Sequence, residues 1–123
     1  MSVHFSRAEL VCKCGCGQLP NLALIKMLEI VRHVGGNKPI VLSSAMRCQR
    51  YNNAEGGAKT SLHTYGMAVD VIRWGGYIGT EPEGRQAIID LFKSCNFWTI
   101  NEVSWVHADM RNIFPEILKI RSL

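Results

Sequence analysis

The sequence predicts an α+β domain in which two main helices pack on a small, mostly antiparallel sheet. Three observations lead there. Two long segments, Pro20 to Val34 and Thr80 to about Cys95, carry apolar residues at helical spacing between recognisable start and stop signals. Short runs at Pro39–Ser44, Met67–Ile72, Phe97–Ile100 and Ser104–Met110 are β-branched or alternate as strands do. Segments rich in glycine and asparagine separate them. With 123 residues, 47% hydrophobic and 20% charged, the chain has the size and composition of one globular domain over residues 1–123.

In chain order, Ser6-Arg7-Ala8-Glu9 has the form of a capping box and opens a short helical turn. Cys12-Lys13-Cys14-Gly15-Cys16-Gly17 follows, too rich in glycine and cysteine for a helix or strand. A thiolate metal site is one reading of it. The spacing lacks the paired Cys-x2-Cys knuckles of common structural zinc sites, so the preferred reading is a tight loop with buried or free thiols. In the first long helix Leu24, Ile25, Leu28 and Val31 form one stripe, with Pro20 at the start and Gly35-Gly36 at the end. His33, in the last turn, is read as meeting the helix dipole and not a metal. Ile40, Val41 and Leu42 are expected as a short buried run leading into Ser43-Ser44-Ala45-Met46-Arg47-Cys48. Arg47 either offers its planar, always-charged fork to a carboxylate or oxyanion, or is a solvated loop arginine. Cys48 has no sequence neighbour that would activate it and is read as a small packed residue.

Tyr51 to Thr60 contains Asn52, Asn53, Gly56 and Gly57 and is expected as a surface loop in a cleft wall, with Tyr51 and Asn52 placed to touch substrate. Arg73 to Thr80, with its glycines, Trp74 and Tyr77, reads as a flexible aromatic loop covering substrate, without phosphate-loop or Rossmann spacing. Thr80-Glu81-Pro82-Glu83 has the form of a second capping box with an early proline. The helix it opens has Ile88, Ile89, Leu91, Phe92 and Cys95 as its apolar side and Asn96 at its end. Asn101-Glu102 is a turn before the last strand. The tail Arg111 to Leu123 carries Phe114, Ile117, Leu118 and Ile120, with Pro115 near the start of a short helix.

Chemistry concentrates in Ser61-Leu62-His63-Thr64-Tyr65-Gly66-Met67-Ala68-Val69-Asp70. The spacing of His63 and Asp70 suits a loop that turns back through a glycine and enters a strand, with His63 on the approach and Asp70 on the strand. In Ser104–Met110 a period of two places Trp105, His107 and Asp109 on one face and Val106, Ala108 and Met110 on the other. Imidazole and carboxylate are both zinc ligands. His63, Asp70 and His107 would make a three-ligand site with a fourth position open, the mark of a catalytic zinc.

The same residues carry a resemblance. Ser61-x-His63-x-x-Gly66-x-Ala68-x-Asp70, followed by Trp105-x-His107, resembles the signature of zinc D-alanyl-D-alanine carboxypeptidases and related phage endolysin peptidases, whose zinc core the sonic hedgehog domain shares. The resemblance runs from about His4 to Arg111. It implies that fold, one zinc ion held by His63, Asp70 and His107, and hydrolysis of a peptidoglycan peptide by zinc-activated water. It also implies that Arg47, at the end of a strand and a serine-rich turn, binds substrate and steadies the oxyanion, with Ser44 and Tyr51 beside it in substrate binding. A cysteine-bearing segment occurs at the start of some members, as a structural feature. Many members carry the catalytic carboxylate three residues before the last histidine. Here that position is Ser104, which cannot serve as a base. Two acids are near: Glu102, at a turn able to bend toward the metal, and Asp109, on the face of His107. Asp109 could instead hold a histidine tautomer, and Glu102 is the preferred base.

The bulk numbers narrow the setting. Net charge is +4, mild and spread along the chain, so nucleic acid is not an expected partner; an anionic cell wall would suit it, as would solubility alone. No apolar run is long enough for a membrane span. The start lacks the form of a signal peptide, which places synthesis in the cytoplasm and requires release to reach a wall, as in a phage or prophage setting. A monomer is expected. Five cysteines, an odd number, argue against a disulfide framework. Two other classes stay open. One is a zinc-bearing wall-binding or structural module without turnover, which Ser104 favours. The other is a thiol redox or metal-transfer protein built on Cys12, Cys14 and Cys16.

Overall fold

The computed structural model describes residues 2–58 and 61–120. Its core is a five-stranded antiparallel sheet with helices packed on it. The strands are β1 (Ile40–Ser44), β2 (Ala68–Trp74), β3 (Tyr77–Ile78), β4 (Trp98–Asn101) and β5 (Val106–Asp109). Their order is β1-β2-β5-β4, with β3 paired to the far end of β2. The α+β class read from the sequence is the class observed. The two main helices are α2 (Leu22–Val34) and α4 (Pro82–Ser94); short helices α1 (Arg7–Leu10), α3 (Gln49–Ala54) and α5 (Ile117–Ile120) complete the set, numbered in chain order.

Local chemistry explains most element boundaries. Ser6 and Glu9 form the reciprocal capping box at α1. Helix α2 starts two residues inside the expected span because the Asn21 side chain accepts the Ala23 N–H and becomes the cap. Its stripe Leu24, Ile25, Leu28 and Val31 is buried, as is the α4 stripe Ile88, Ile89, Leu91 and Phe92. The second capping box does not form: Glu81 is the cap residue of α4, makes no side-chain cap bond, and leaves Pro82 to open the helix. Asn96 ends α4 at φ +69°, the left-handed conformation that asparagine tolerates. Strand β1 alternates, with Ile40 and Leu42 inward and Val41 exposed, so it is not the continuous buried run expected.

Three other expectations are corrected. Residues 51–60 are not all loop, because α3 covers Gln49–Ala54. The Cys48 thiol accepts the Tyr51 N–H as its cap, and Asn52 is fully buried, its amide donating to the Ala58 carbonyl. Asn52 therefore packs inside and does not face substrate. Arg73–Thr80 is not a covering loop. Strand β2 runs on to Trp74, turns at Gly75-Gly76 and returns as β3, and Trp74 donates to the Gly35 carbonyl at 3.1 Å behind α2. None of it lines the cavity described below. Ser104 and Trp105 belong to the turn between β4 and β5, since the strand starts at Val106. The tail forms α5 with Ile117 buried; residues 121–123 lie outside the described residues.

Gly66 joins fold to site. It follows a 3-10 turn (Leu62–Tyr65) at φ +67°, and a Cβ there would sit 2.6 Å from the Asn21 nitrogen and 2.9 Å from the Pro20 Cα. Both obstacles are backbone, so neither can swing away. Gly66→Ala is expected to cost about 2–3 kcal/mol, from left-handed strain plus overpacking, read as a lowered urea midpoint with an unchanged slope.

Candidate metal centre and cleft

Strand pairing assembles the site. Asp70 on β2 lies directly across from Ser44 on β1 and from His107 on β5. The alternation of β5 sends Val106, Ala108 and Met110 into the core and leaves His107 and Asp109 on the opposite face. The 3-10 turn, stopped by Gly66, brings His63 over the same spot from outside the sheet. Its Nε2 is 3.1 Å from Asp70 Oδ1, and His107 Nδ1 is 3.5 Å from that oxygen. Ligand atoms of His63, Asp70 and His107 all lie within 4.8 Å of one another.

The outer nitrogen of each ring sets its tautomer. His63 Nδ1 is 2.7 Å from the Ala45 carbonyl, which can only accept, so Nδ1 carries the proton and Nε2 presents its lone pair inward. His107 Nε2 is 2.8 Å from the Asp109 carboxylate, which leaves Nδ1 to face inward. In the neutral forms two lone pairs and a carboxylate oxygen then point at one another. That arrangement is repulsive unless a cation or a proton lies among them. The donor set therefore fits a divalent zinc ion, with His63 Nε2, Asp70 and His107 Nδ1 as its holders.

Charge around the three is arranged to match. Arg47 Nη2 donates to Asp70 Oδ2 at 2.8 Å, while its Nε donates to Ser44 Oγ at 3.2 Å and its Nη1 to Asn52 Oδ1 at 3.5 Å. Burial works to raise the Asp70 carboxyl, but hydrogen bonds to His107 and His63 and the charges of His63 and Arg47 outweigh it and hold the group well below the carboxylate range. Burial likewise opposes charge on His107, but Asp109 and Asp70 overcome it and push the metal-free imidazole up to about 9. Asp109, fully buried, accepts from Arg111 through its backbone N–H at 3.1 Å, Nε at 3.0 Å and Nη2 at 2.9 Å.

The three residues sit at the base of an open cavity of about 420 Å³, walled by Arg47, Gly57, Ser61, Glu102, Trp105 and Arg111 among others. Glu102 projects here from the β4–β5 turn. Among the described residues its carboxylate has no hydrogen-bond or ion-pair partner. Ser104, two positions on, is exposed and outside the cavity wall. A second cavity of about 290 Å³ adjoins it, lined by Ser44 and Tyr51 and sharing Arg47, Asp70 and Trp105 with the first. The two cavities meet at Arg47, Asp70 and Trp105, beside the three residues that could hold a metal ion, and together are termed the groove.

A family model described as Peptidase M15 matches residues 3–109. The chain belongs to the peptidase M15 family. These are zinc peptidases that include the D-alanyl-D-alanine carboxypeptidases, and the match covers both motifs, Ser61–Asp70 and Trp105–His107, on which the sequence resemblance rests. Among curated proteins no match to the chain is found. No helix among the described residues is long and apolar enough to cross a membrane.

Sequence reasoning had no means of finding the Ala45 carbonyl, because a backbone atom carries no residue signature. Nor did it show Arg111 clamping Asp109, although the charges stand two residues apart. The clamped network has a pH consequence. In the metal-free protein the folded His107 value, about 9, lies above its ordinary 6.5. Its contribution is therefore full below about pH 6.5 and is lost as pH rises through about 9. Asp70 and Asp109 are shifted down, so their contribution is present above the ordinary carboxylate range and lost in acid. Urea unfolding in chelator should show wild type losing stability over the alkaline window relative to His107→Gln, in which that loss is absent.

Proposed function

We propose that the chain is a zinc metallopeptidase that hydrolyses a peptide bond in peptidoglycan, either a D-alanyl bond or a bond of the stem or cross-bridge. The observation that carries this reading is the convergence of two imidazoles, each with its outer nitrogen held by an acceptor, and Asp70 in an open cavity whose wall also holds Arg47 and the Glu102 carboxylate, which has no partner among the described residues. Zinc, when bound, supplies Lewis acidity toward water and toward the scissile carbonyl. The chain's own residues supply the rest. Ala45 and Asp109 orient the two rings. Arg47 has part of its guanidinium in the groove to meet a substrate carboxylate or developing oxyanion, and it also fixes Asp70. Glu102, in the wall of the same cavity, would take a proton from water and return it to the leaving amine. Ser44 and Tyr51 line the adjoining cavity, where further substrate residues would lie.

A zinc-bearing module without turnover is the second reading, and Ser104 at the family's usual acidic position is the observation that favours it. One assay separates the two. Zinc-loaded protein incubated with purified peptidoglycan and with synthetic stem peptides should release new amino termini, or free D-alanine, while chelated protein should not. Binding to the wall material without any new terminus would establish the module and end the peptidase reading.

A further inference from the structure

The groove does not use the cysteines, yet the fold collects four of them. Cys12, Cys14 and Cys16 come from the turn after α1, and Cys48 arrives from the far side as the cap of α3. Their sulfurs all lie within 4.8 Å of one another, with Cys12 to Cys14 at 3.5 Å and Cys14 to Cys48 at 3.6 Å. A tetrahedral ion with metal–sulfur bonds of about 2.3 Å sets its sulfurs about 3.8 Å apart. The knuckle absent from the sequence spacing is completed by a residue 32 positions beyond Cys16.

We propose that Cys12, Cys14, Cys16 and Cys48 bind a structural zinc ion of their own, closed by four thiolates and separate from the His63–Asp70–His107 centre. Donors around the cluster point at sulfur. The Cys48 N–H donates to Cys12 Sγ at 3.3 Å, the Tyr51 N–H to Cys48 Sγ at 3.4 Å, and Arg50 Nη2 approaches Cys14 Sγ at 4.0 Å. Such contacts stabilise thiolate over thiol and offset the negative charge that four thiolates leave around a divalent ion. The turn doubles back through Gly15 and Gly17, at φ +87° and +83°, which brings three ligands from one short segment. Among the described residues the apolar cluster at this corner is Cys12, Met46 and Cys48, with Cys14 and Tyr51 packed against them.

The ion's position gives it a task. Cys48 follows Arg47 directly, and the Arg47 N–H donates to the His63 carbonyl at 3.1 Å. A tetrathiolate centre would pin the N-terminal turn to the segment that carries Arg47 into the groove. It supports the site without entering it.

Cobalt titration of the reduced, metal-free full chain tests this. A thiolate site gives an intense sulfur-to-cobalt charge-transfer band, and the histidine–aspartate centre, lacking sulfur, gives none. Wild type is expected to bind about two ions per chain, one of them producing that band. His63→Ala should keep the band, which makes this outcome independent of the peptidase reading. Cys14→Ser with Cys16→Ser should lose it. A second measurement covers the case in which the serine variant fails to fold: in wild type, zinc should protect Cys14 and Cys16, the two of the four that are not buried, from alkylation, and a chelator should expose them. A wild-type protein that gives no thiolate band, or whose cysteines alkylate as fast with zinc as without, overturns the proposal. So does a stable disulfide among the four in metal-replete protein.

Discussion

Asp70→Asn should release the groove metal and lower kcat/KM by about a thousandfold or more, the scale expected when metal-assisted chemistry is withdrawn. Asp70 is the one anionic member of the proposed ligand set, and three partners share its two oxygens: His63, His107 and Arg47. The amide keeps the shape and removes the charge. A divalent cation then faces two neutral rings beside the Arg47 guanidinium, with nothing to balance it. Its NH₂ group would also point a donor either at the Arg47 guanidinium, where an acceptor is required, or into the space between the two ring nitrogens, where it would take the place of an oxygen able to hold the ion. Metal analysis of dialysed protein, beside turnover at saturating zinc, checks both halves. His63→Ala should lose metal too, but with a smaller charge penalty. If Asp70→Asn kept both its metal and its activity, the three residues would not be the metal centre.

The site was readable in sequence where its geometry is local or periodic. The Ser61–Asp70 spacing encodes a turn, a left-handed glycine and a strand. The two-residue period of β5 puts His107 and Asp109 together because Val106 and Ala108 must be buried. Both long helices announce themselves through stripes that the sheet then covers. The misreadings share another cause: tertiary contacts overrode local composition. Asn52, Asn53 and two following glycines describe a loop, yet a cysteine cap and a buried Asn52 side chain hold α3. Cys48 is the packed residue expected, but its neighbours Cys12 and Cys14 lie far back in the chain and could not be read from its surroundings in sequence. The glycines after Arg73 signalled flexibility, but two of them only turn the β2–β3 hairpin against α2.

Glu102→Gln and Asp109→Asn should fail in different ways. Glu102→Gln is expected to keep zinc and lose about a hundred- to ten-thousandfold in kcat, the range for a general acid–base group. Asp109→Asn is expected to weaken zinc binding about ten- to a hundredfold and to recover much of its activity when zinc is raised. The difference follows from where each carboxylate is held. Asp109 is fully buried beneath His107, and its two oxygens already take three hydrogen bonds from Arg111 and one from the imidazole. Burial would raise its carboxyl, but those donors hold it down, so it is a weak proton acceptor as well as an inaccessible one. Its effect on the chemistry passes through the ring it orients. Glu102 stands in the groove wall without a partner among the described residues, two positions from the serine that replaces the family's usual acid. The β4–β5 turn holds it there: the Asn101 side chain accepts the Val103 N–H at 3.0 Å, and the Glu102 N–H donates to the Trp105 carbonyl at 2.9 Å. That turn leaves Glu102 in the cavity wall and Ser104 outside it. Rates measured for both variants across a zinc titration separate the roles. A zinc-independent loss in Asp109→Asn, with Glu102→Gln at wild-type rate, would exchange them.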